Sequence, residues 1–227
     1  MFYFDWTMLL VLPGLLLGLW AQFRVKSAFS EYSRVYSRRG ACAEDVSRDL
    51  LSRSGNSGVT ITGVAGSLTD HYDPSSNTLR LSQDVLGNSS IAAIGVAAHE
   101  CGHAMQQHEG YAPLKLRSAI VPVVNIGSNL YFPIFMAGIL FSWQPLVYAG
   151  IICFALSLVF SLVTLPVEFD ASKRAIAMLR SGGYLSEDEL GGAQKVLNAA
   201  AMTYVAAAVS SLLQLLRLLL IARRSDD

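Results

Sequence analysis

Residues 97–108 read AAHECGHAMQQH, and the fold turns on what this stretch is. Residues four apart lie on one face of an α-helix, so His99 and His103 can present imidazole nitrogens to a single ion. Glu100 sits one residue-step round the helix beside them. Two such histidines and an uncoordinated carboxylate are what a helix needs to supply two zinc ligands and a general base. Zinc acidifies water toward neutrality and polarises a carbonyl, with Glu100 placed to take the proton, so the chemistry implied is amide hydrolysis. The competing reading is a core helix with two hydrogen-bonded histidines. Gly102 speaks against it, because glycine costs about 1 kcal/mol relative to alanine in a helix interior, so something must approach the backbone closely there. Cys101 points roughly 100° from Glu100 and 200° from His99 and reads as a packed thiol.

The surrounding chain is apolar. With 52% hydrophobic and only 15% charged residues and a mean hydropathy of +0.42, its surface cannot be mostly water-facing, which predicts a polytopic membrane protein. Seventeen basic residues balance seventeen acidic ones and form no dense basic face, so nucleic acid is excluded as a partner. Cys42, Cys101 and Cys153 are odd in number and irregularly spaced, which fits reduced thiols rather than a disulfide framework.

Four apolar runs approach the roughly 20 helical residues that cross a bilayer. The first, about Trp6 to Phe23, is preceded only by Asp5 and followed by Arg24 and Lys26, the reverse of a signal peptide, and reads as an uncleaved anchor. The second, about Ile120 to Phe141, carries Pro122, Asn125, Asn129 and Pro133 and is expected to line something. The third, about Leu146 to Val167, is joined to it by SWQP (142–145), which forces a tight antiparallel hairpin. The fourth, about Ala199 to Ile221, contains Gln214 and Arg217 and either crosses or lies at the interface. By the positive-inside bias the N-terminus and SWQP lie outside, while 24–117 and 168–197 are cytoplasmic; Arg223 and Arg224 pull against a fourth crossing.

The only soluble segment of domain size lies between the first two runs. FRVKSAFSEYSRVYSRRG (23–40) reads as an amphipathic helix ended by Gly40, and CAEDVSRDLLSRSG (42–55) as a second helix closed by Gly55. VTITGV (59–64) reads as a strand, and DPSSN (73–77) as a turn between two extended pieces. Ser89 or Ser90 can then cap the HExxH helix. VTITGV is either an edge strand that pairs with an extended substrate or a purely structural strand. His71 and Tyr72, in TDHYDP, can donate to an oxyanion; alternatively His71, Asp70 and Asp73 only hydrogen-bond the turn.

A catalytic zinc needs a third protein ligand and an open position. Continuation as HExxHxxGxxH is closed by Gln106 and Glu109. His108 lies about 140° round the helix from His103 and reads as a surface residue. Glu168, in LPVEFDASKRA (165–175), emerges from the third run on the same side as the HExxH helix, where a carboxylate is costly unless coordinated, paired or wet. It is the preferred ligand, with Asp170 the second choice or an acceptor that orients a ligating histidine.

SRRG, LTDHYDP, LRLS, AAIGVAAHECGHAMQ and LPVEFDASKRA, with the one-span N-terminus, together resemble the bacterial membrane zinc metallopeptidases of the YugP type, from about Met1 to Leu220. The resemblance implies a gluzincin-like protease of the cytoplasmic membrane, with His99, His103 and Glu168 as metal ligands and Glu100 as catalytic base. It implies a distant relation to the heat-shock protease HtpX and the type I CAAX prenyl protease, whose third ligand opens an ExxxD pattern. Here the fourth position after Glu168 is Ser172, and the acid is Asp170.

The expectation is a mainly α membrane protein: three to four transmembrane helices and a small α+β zincin-like region with an HExxH helix and a short β-hairpin or sheet. Its segments are an anchor (1–23), the zincin-like region (24–117), a transmembrane hairpin (118–167), a cytoplasmic piece carrying the third ligand (168–197) and a last helix with its tail (198–227). The expected activity is a Zn2+-dependent endopeptidase acting on membrane or membrane-proximal polypeptides in contact with lipid, with Glu100 and His71 in catalytic roles. The alternatives are a scaffold with a structural zinc and a zinc hydrolase of a non-peptide amide.

Overall fold

The computed structural model describes residues 6–224; Asp5, which entered the reading of the first run as an uncleaved anchor, lies outside the described residues. The chain is mainly helical, with a small sheet: α1 (Met8–Tyr32), α2 (Ala43–Arg53), β1 (Thr60–Val64), β2 (His71–Asp73), β3 (Thr78–Ser82), α3 (Ile91–Glu109), α4 (Ala112–Leu140), α5 (Gln144–Ser181) and α6 (Glu187–Arg224). Four of these helices, α1, α4, α5 and α6, are long and apolar enough to cross a membrane. Only 11% to 22% of their most apolar windows is buried within the chain, so these surfaces face outward, as lipid-covered helices do.

The chain divides into two compact units. The first gathers Met1–Ala21, Leu116–Pro166 and Met202–Asp227. Its core is Phe135, Val147, Ile151, Phe154, Leu218 and Ala222. The connection from α4 to α5 is as short as SWQP required, and Gly138 lets the two helices close: a Cβ there would lie 2.5 Å from the Val147 nitrogen. α6 runs unbroken through the fourth apolar run, and Arg217 is turned inward, its Nε donating to Thr7 Oγ1 at 3.2 Å. The polar residues of α4 do not line an interior of this unit. Asn125, Ser128 and Asn129 are exposed, and Ser128 and Asn129 donate back to the Asn125 carbonyl.

The second unit comprises Gln22–Lys115 and Val167–Ala201. Here the fold departs from the pattern of residues 23–40. No separate amphipathic helix runs to Gly40; α1 ends at Tyr32. The backbone beyond finds other partners: Ser37 N–H donates to Ser89 O, Ile91 N–H to Val35 O, Ala43 N–H to Asn88 O, and Arg38 N–H to Glu189 Oε1 at 2.7 Å. These bonds replace the helical ladder and lash this segment to the start of α3.

β2 and β3 form the hairpin around DPSSN, with Asp73 Oδ1 accepting the Ser75 N–H at 2.9 Å. β1 adds in parallel to the other side of β3, giving the order β1-β3-β2. Central β3 buries Leu79 and Leu81 completely. Against this face pack Val46, Leu50 and Leu51 of α2 and the small-residue face of α3, with Leu179, Leu190 and Leu197 in the same core.

Small residues let α3 sit close to its neighbours. A Cβ on Gly95 would come within 3.2 Å of the Ala193 Cβ of α6. One on Gly102 would lie 2.6 Å from the Ala171 carbonyl oxygen of α5, where no L side chain fits without moving backbone. The close approach inferred from Gly102 is therefore the α5 backbone itself. Gly102→Ala is expected to lower the thermal midpoint in detergent by the equivalent of about 1–3 kcal/mol of overpacking. Gly191→Ala, facing open space on α6, is expected to leave it unchanged or raise it by up to about 1 kcal/mol. A Gly102→Ala protein as stable as the wild type would contradict the close packing.

Candidate metal centre

α3 is fixed at both ends. Ser90 Oγ accepts the Ala93 N–H at 3.2 Å, and Gly110 closes the helix with φ +68°. Between these caps His99 and His103 lie one turn apart with their rings edge to face, centroids 4.7 Å apart. Three residues before the Ala171 contact, α5 presents Glu168, which is 2% exposed. Its Oε2 lies 3.3 Å from His99 Nε2 and 3.6 Å from His103 Nε2. The three side chains form a group whose ligand atoms all lie within 4.8 Å of one another.

The donor set fits zinc. A tetrahedral zinc with bonds of about 2.0–2.1 Å holds its ligand atoms about 3.3 Å apart, which is close to the separation between Glu168 and the two imidazoles. Each imidazole has its other nitrogen engaged, as ligating histidines do. His99 Nδ1 lies 3.1 Å from Ser172 Oγ, and His103 Nδ1 lies 3.0 Å from Gln106 Oε1. With Gln106 Oε1 accepting from Nδ1–H, the Nε2 lone pair of His103 is left to face Glu168. Gln106 is itself wholly buried, and its Nε2 donates to Val167 O and to Asp170 Oδ2, both at 2.8 Å. Asp170 also accepts from Arg174, which reaches Glu109 at 2.7 Å. Asp170 thus holds neither histidine directly; it supports His103 through Gln106.

Glu100 is buried beside the group, and one of its oxygens accepts the backbone N–H of Tyr72 at 3.0 Å. Burial pushes its carboxyl pKa up, against the opposing pull of the two histidines. For His103, burial disfavours the cation, but the Glu168 hydrogen bond and the Glu100 and Glu168 charges outweigh it and raise the pKa. The pocket therefore favours added positive charge at the His103 imidazole.

The edge strand beside Glu100 is β2, whose Tyr72 N–H the Glu100 carboxylate accepts; β1 lies at the opposite edge of the sheet. The Tyr72 hydroxyl is turned to Asn77 Oδ1 at 2.8 Å. His71 is exposed and pairs with Arg80 in the sheet register, on the face opposite Tyr72, Leu79 and Ile61, which pack into the core. Its Nδ1 lies 2.8 Å from the Thr69 carbonyl. Asp70 accepts from the Ser82 N–H and hydroxyl, and Asp73 from Ser75 and Ser76. These are the turn-building contacts of the structural alternative, and the structure does not bring His71 into the group with His99, His103 and Glu168. Cys101 is fully buried with its thiol pushed up to about 12 by burial, and His108 is exposed. All three cysteines are free.

Three participants escaped the sequence reading: Gln106, Ser172 and the Tyr72 amide. Two had a signal, because Gln106 falls three residues after His103 and Ser172 four after Glu168, each on the face of its helix that carries the ligand.

A model of the family described as "Putative neutral zinc metallopeptidase" matches residues 7–223. The "Putative membrane protease YugP" of Bacillus subtilis (strain 168) is 45% identical over 218 residues, which cover 96% of this chain and 97% of that protein. No solved structure matches the chain.

Ser172→Ala and Gln106→Leu are each expected to weaken zinc retention about 10- to 100-fold, measured by competition with a calibrated chelator. Affinities equal to the wild type would show that neither group orients a ligand.

Proposed function

The chain belongs to that zinc metallopeptidase family, and on this premise we propose that it is a membrane-embedded zinc endopeptidase that cleaves membrane or membrane-proximal polypeptides on the cytoplasmic side. The observation that carries the reading is the convergence of two imidazole Nε2 atoms on one buried Glu168 oxygen, with Glu100 buried beside them. The four apolar helices and the membrane-protease relative support the location. The basic residues of 24–117 and 168–197 support the side.

In this account His99, His103 and Glu168 hold the ion. Bound zinc supplies Lewis acidity that polarises a carbonyl and acidifies water. Ser172 and Gln106 hold the imidazole rings and fix the tautomers. Glu100 is the proton carrier: it removes a proton from the attacking water and delivers it to the departing amide nitrogen. The Tyr72 N–H holds one carboxylate oxygen in place, and burial raises the basicity of the carboxyl. His71 is the oxyanion donor expected from the sequence, and its place in the turn sets the terms of its test.

Glu100→Gln is expected to keep stoichiometric zinc and lose peptide cleavage by three orders of magnitude or more; a chelator should abolish cleavage by the wild type. Purified protein without zinc, or a Glu100→Gln protein that cleaves normally, would refute the proposal. A scaffold with a structural zinc would tolerate the substitution. His71→Ala lowers kcat by about 100-fold or more if the imidazole serves the oxyanion, and by less than about threefold if it only ties the turn.

A further inference from the structure

A groove of about 490 Å³ lies between α5 and α6, lined by Phe169, Ser172, Lys173, Ile176, Arg180 and Asn198 among others. It borders the metal centre at one point, Ser172, which is part of its wall and whose hydroxyl lies 3.1 Å from His99 Nδ1. From Phe169 to Arg180 it follows α5 for about 16 Å at 1.5 Å per residue. That length matches about five residues of extended chain.

The lining is amphipathic. Phe169, Ile176 and Leu197 give it an apolar floor, and Gln194 and Asn198, four residues apart on α6, present carboxamides. Neither amide has a hydrogen-bond partner among the described residues. A carboxamide offers both donor and acceptor, the complement of a main-chain amide. The charge is one-sided, since Lys173 and Arg180 line the groove and no acidic residue does. Arg180 is held by a two-pronged ion pair with Glu187, both contacts 3.0 Å. Lys173 is exposed and has no ion-pair partner among the described residues, so it is the uncompensated charge.

We propose that this groove holds the polypeptide segment flanking the scissile bond and selects acidic side chains through Lys173. The inference rests on the endopeptidase reading and names its substrate class: extended segments with an apolar residue and an Asp or Glu within about five residues of the cleaved bond. Gln194 and Asn198 take the main chain, which a lipid headgroup lacks.

The test is the digestion of a proteome-derived peptide library by the full-length, zinc-loaded protein in detergent, with cleavage sites read by mass spectrometry. Wild type is expected to enrich Asp and Glu on one side of the cleaved bond by about three- to fivefold, the scale of one exposed ion pair. Lys173→Arg should keep this enrichment, Lys173→Ala should lose it, and Lys173→Glu should replace it by Lys and Arg, with zinc content equal in all four proteins. Chelator-sensitive cleavage with no acidic preference, or one that Lys173→Glu leaves intact, overturns the groove assignment and leaves the endopeptidase reading standing. If Lys173→Glu leaves the cleavage sites unaltered but weakens binding to phosphatidylglycerol nanodiscs, the groove is a headgroup site and the assignment fails. A library untouched by zinc-loaded wild type overturns the endopeptidase reading and this inference with it.

Discussion

The close approach of α3 to α5 at Gly102 and Ala171 is the constraint on which the rest of the site depends. Two histidines one turn apart on a helix define only one edge of a coordination polyhedron. The third corner has to come from another element, at a distance set by the separation of the two backbones. Because Gly102 has no side chain, the Ala171 carbonyl comes within 2.6 Å of where a Cβ would stand, and Glu168, one turn earlier on α5, reaches both imidazoles. A larger residue would have to open this 2.6 Å contact by at least about 0.4 Å, more than the tolerance of a metal bond, about 0.2 Å.

The same contact sets the surroundings of the ligands. Ser172 follows Ala171 and meets His99; Gln106 follows Gly102 by one turn and meets His103, Val167 and Asp170. Both groups that touch the Nδ1 atoms are neutral. A neutral hydrogen bond contributes about 1 kcal/mol and fixes orientation without adding charge. Two carboxylates, Glu100 and Glu168, are already buried here, and a third would raise the desolvation penalty further. Asp170 is kept one residue removed, its charge matched by Arg174.

Much of this was legible in residue patterns. The helical period of HExxH named His99, Glu100 and His103, and the cost of a carboxylate at a span end pointed to Glu168; the structure gathers the three candidate ligands in one group. The turn cluster DPSSN marked the hairpin, and the length of SWQP the α4–α5 connection. What was not legible depends on long-range pairing. The residues after Tyr32 carry a helical pattern, yet their backbone bonds the start of α3, a choice that only the folded position of α3 reveals. The parallel pairing of β1 with β3, which leaves β2 rather than β1 beside Glu100, is likewise a matter of topology, on which local alternation is silent. Gln106 and Ser172 stand at helical spacing from His103 and Glu168, but a neutral side chain on a ligand's face is common in any helix, so that spacing alone did not single them out.

The central claim is that His99, His103 and Glu168 together form a zinc site. X-ray absorption at the zinc edge on purified protein tests it most directly. The account predicts one zinc per chain in a shell of nitrogen and oxygen at about 2.0–2.1 Å, with two imidazoles resolved by their outer-shell scattering. It also predicts that Glu168→Ala alters that first shell. A sulfur contribution near 2.3 Å, or a spectrum that Glu168→Ala leaves unchanged, would contradict it.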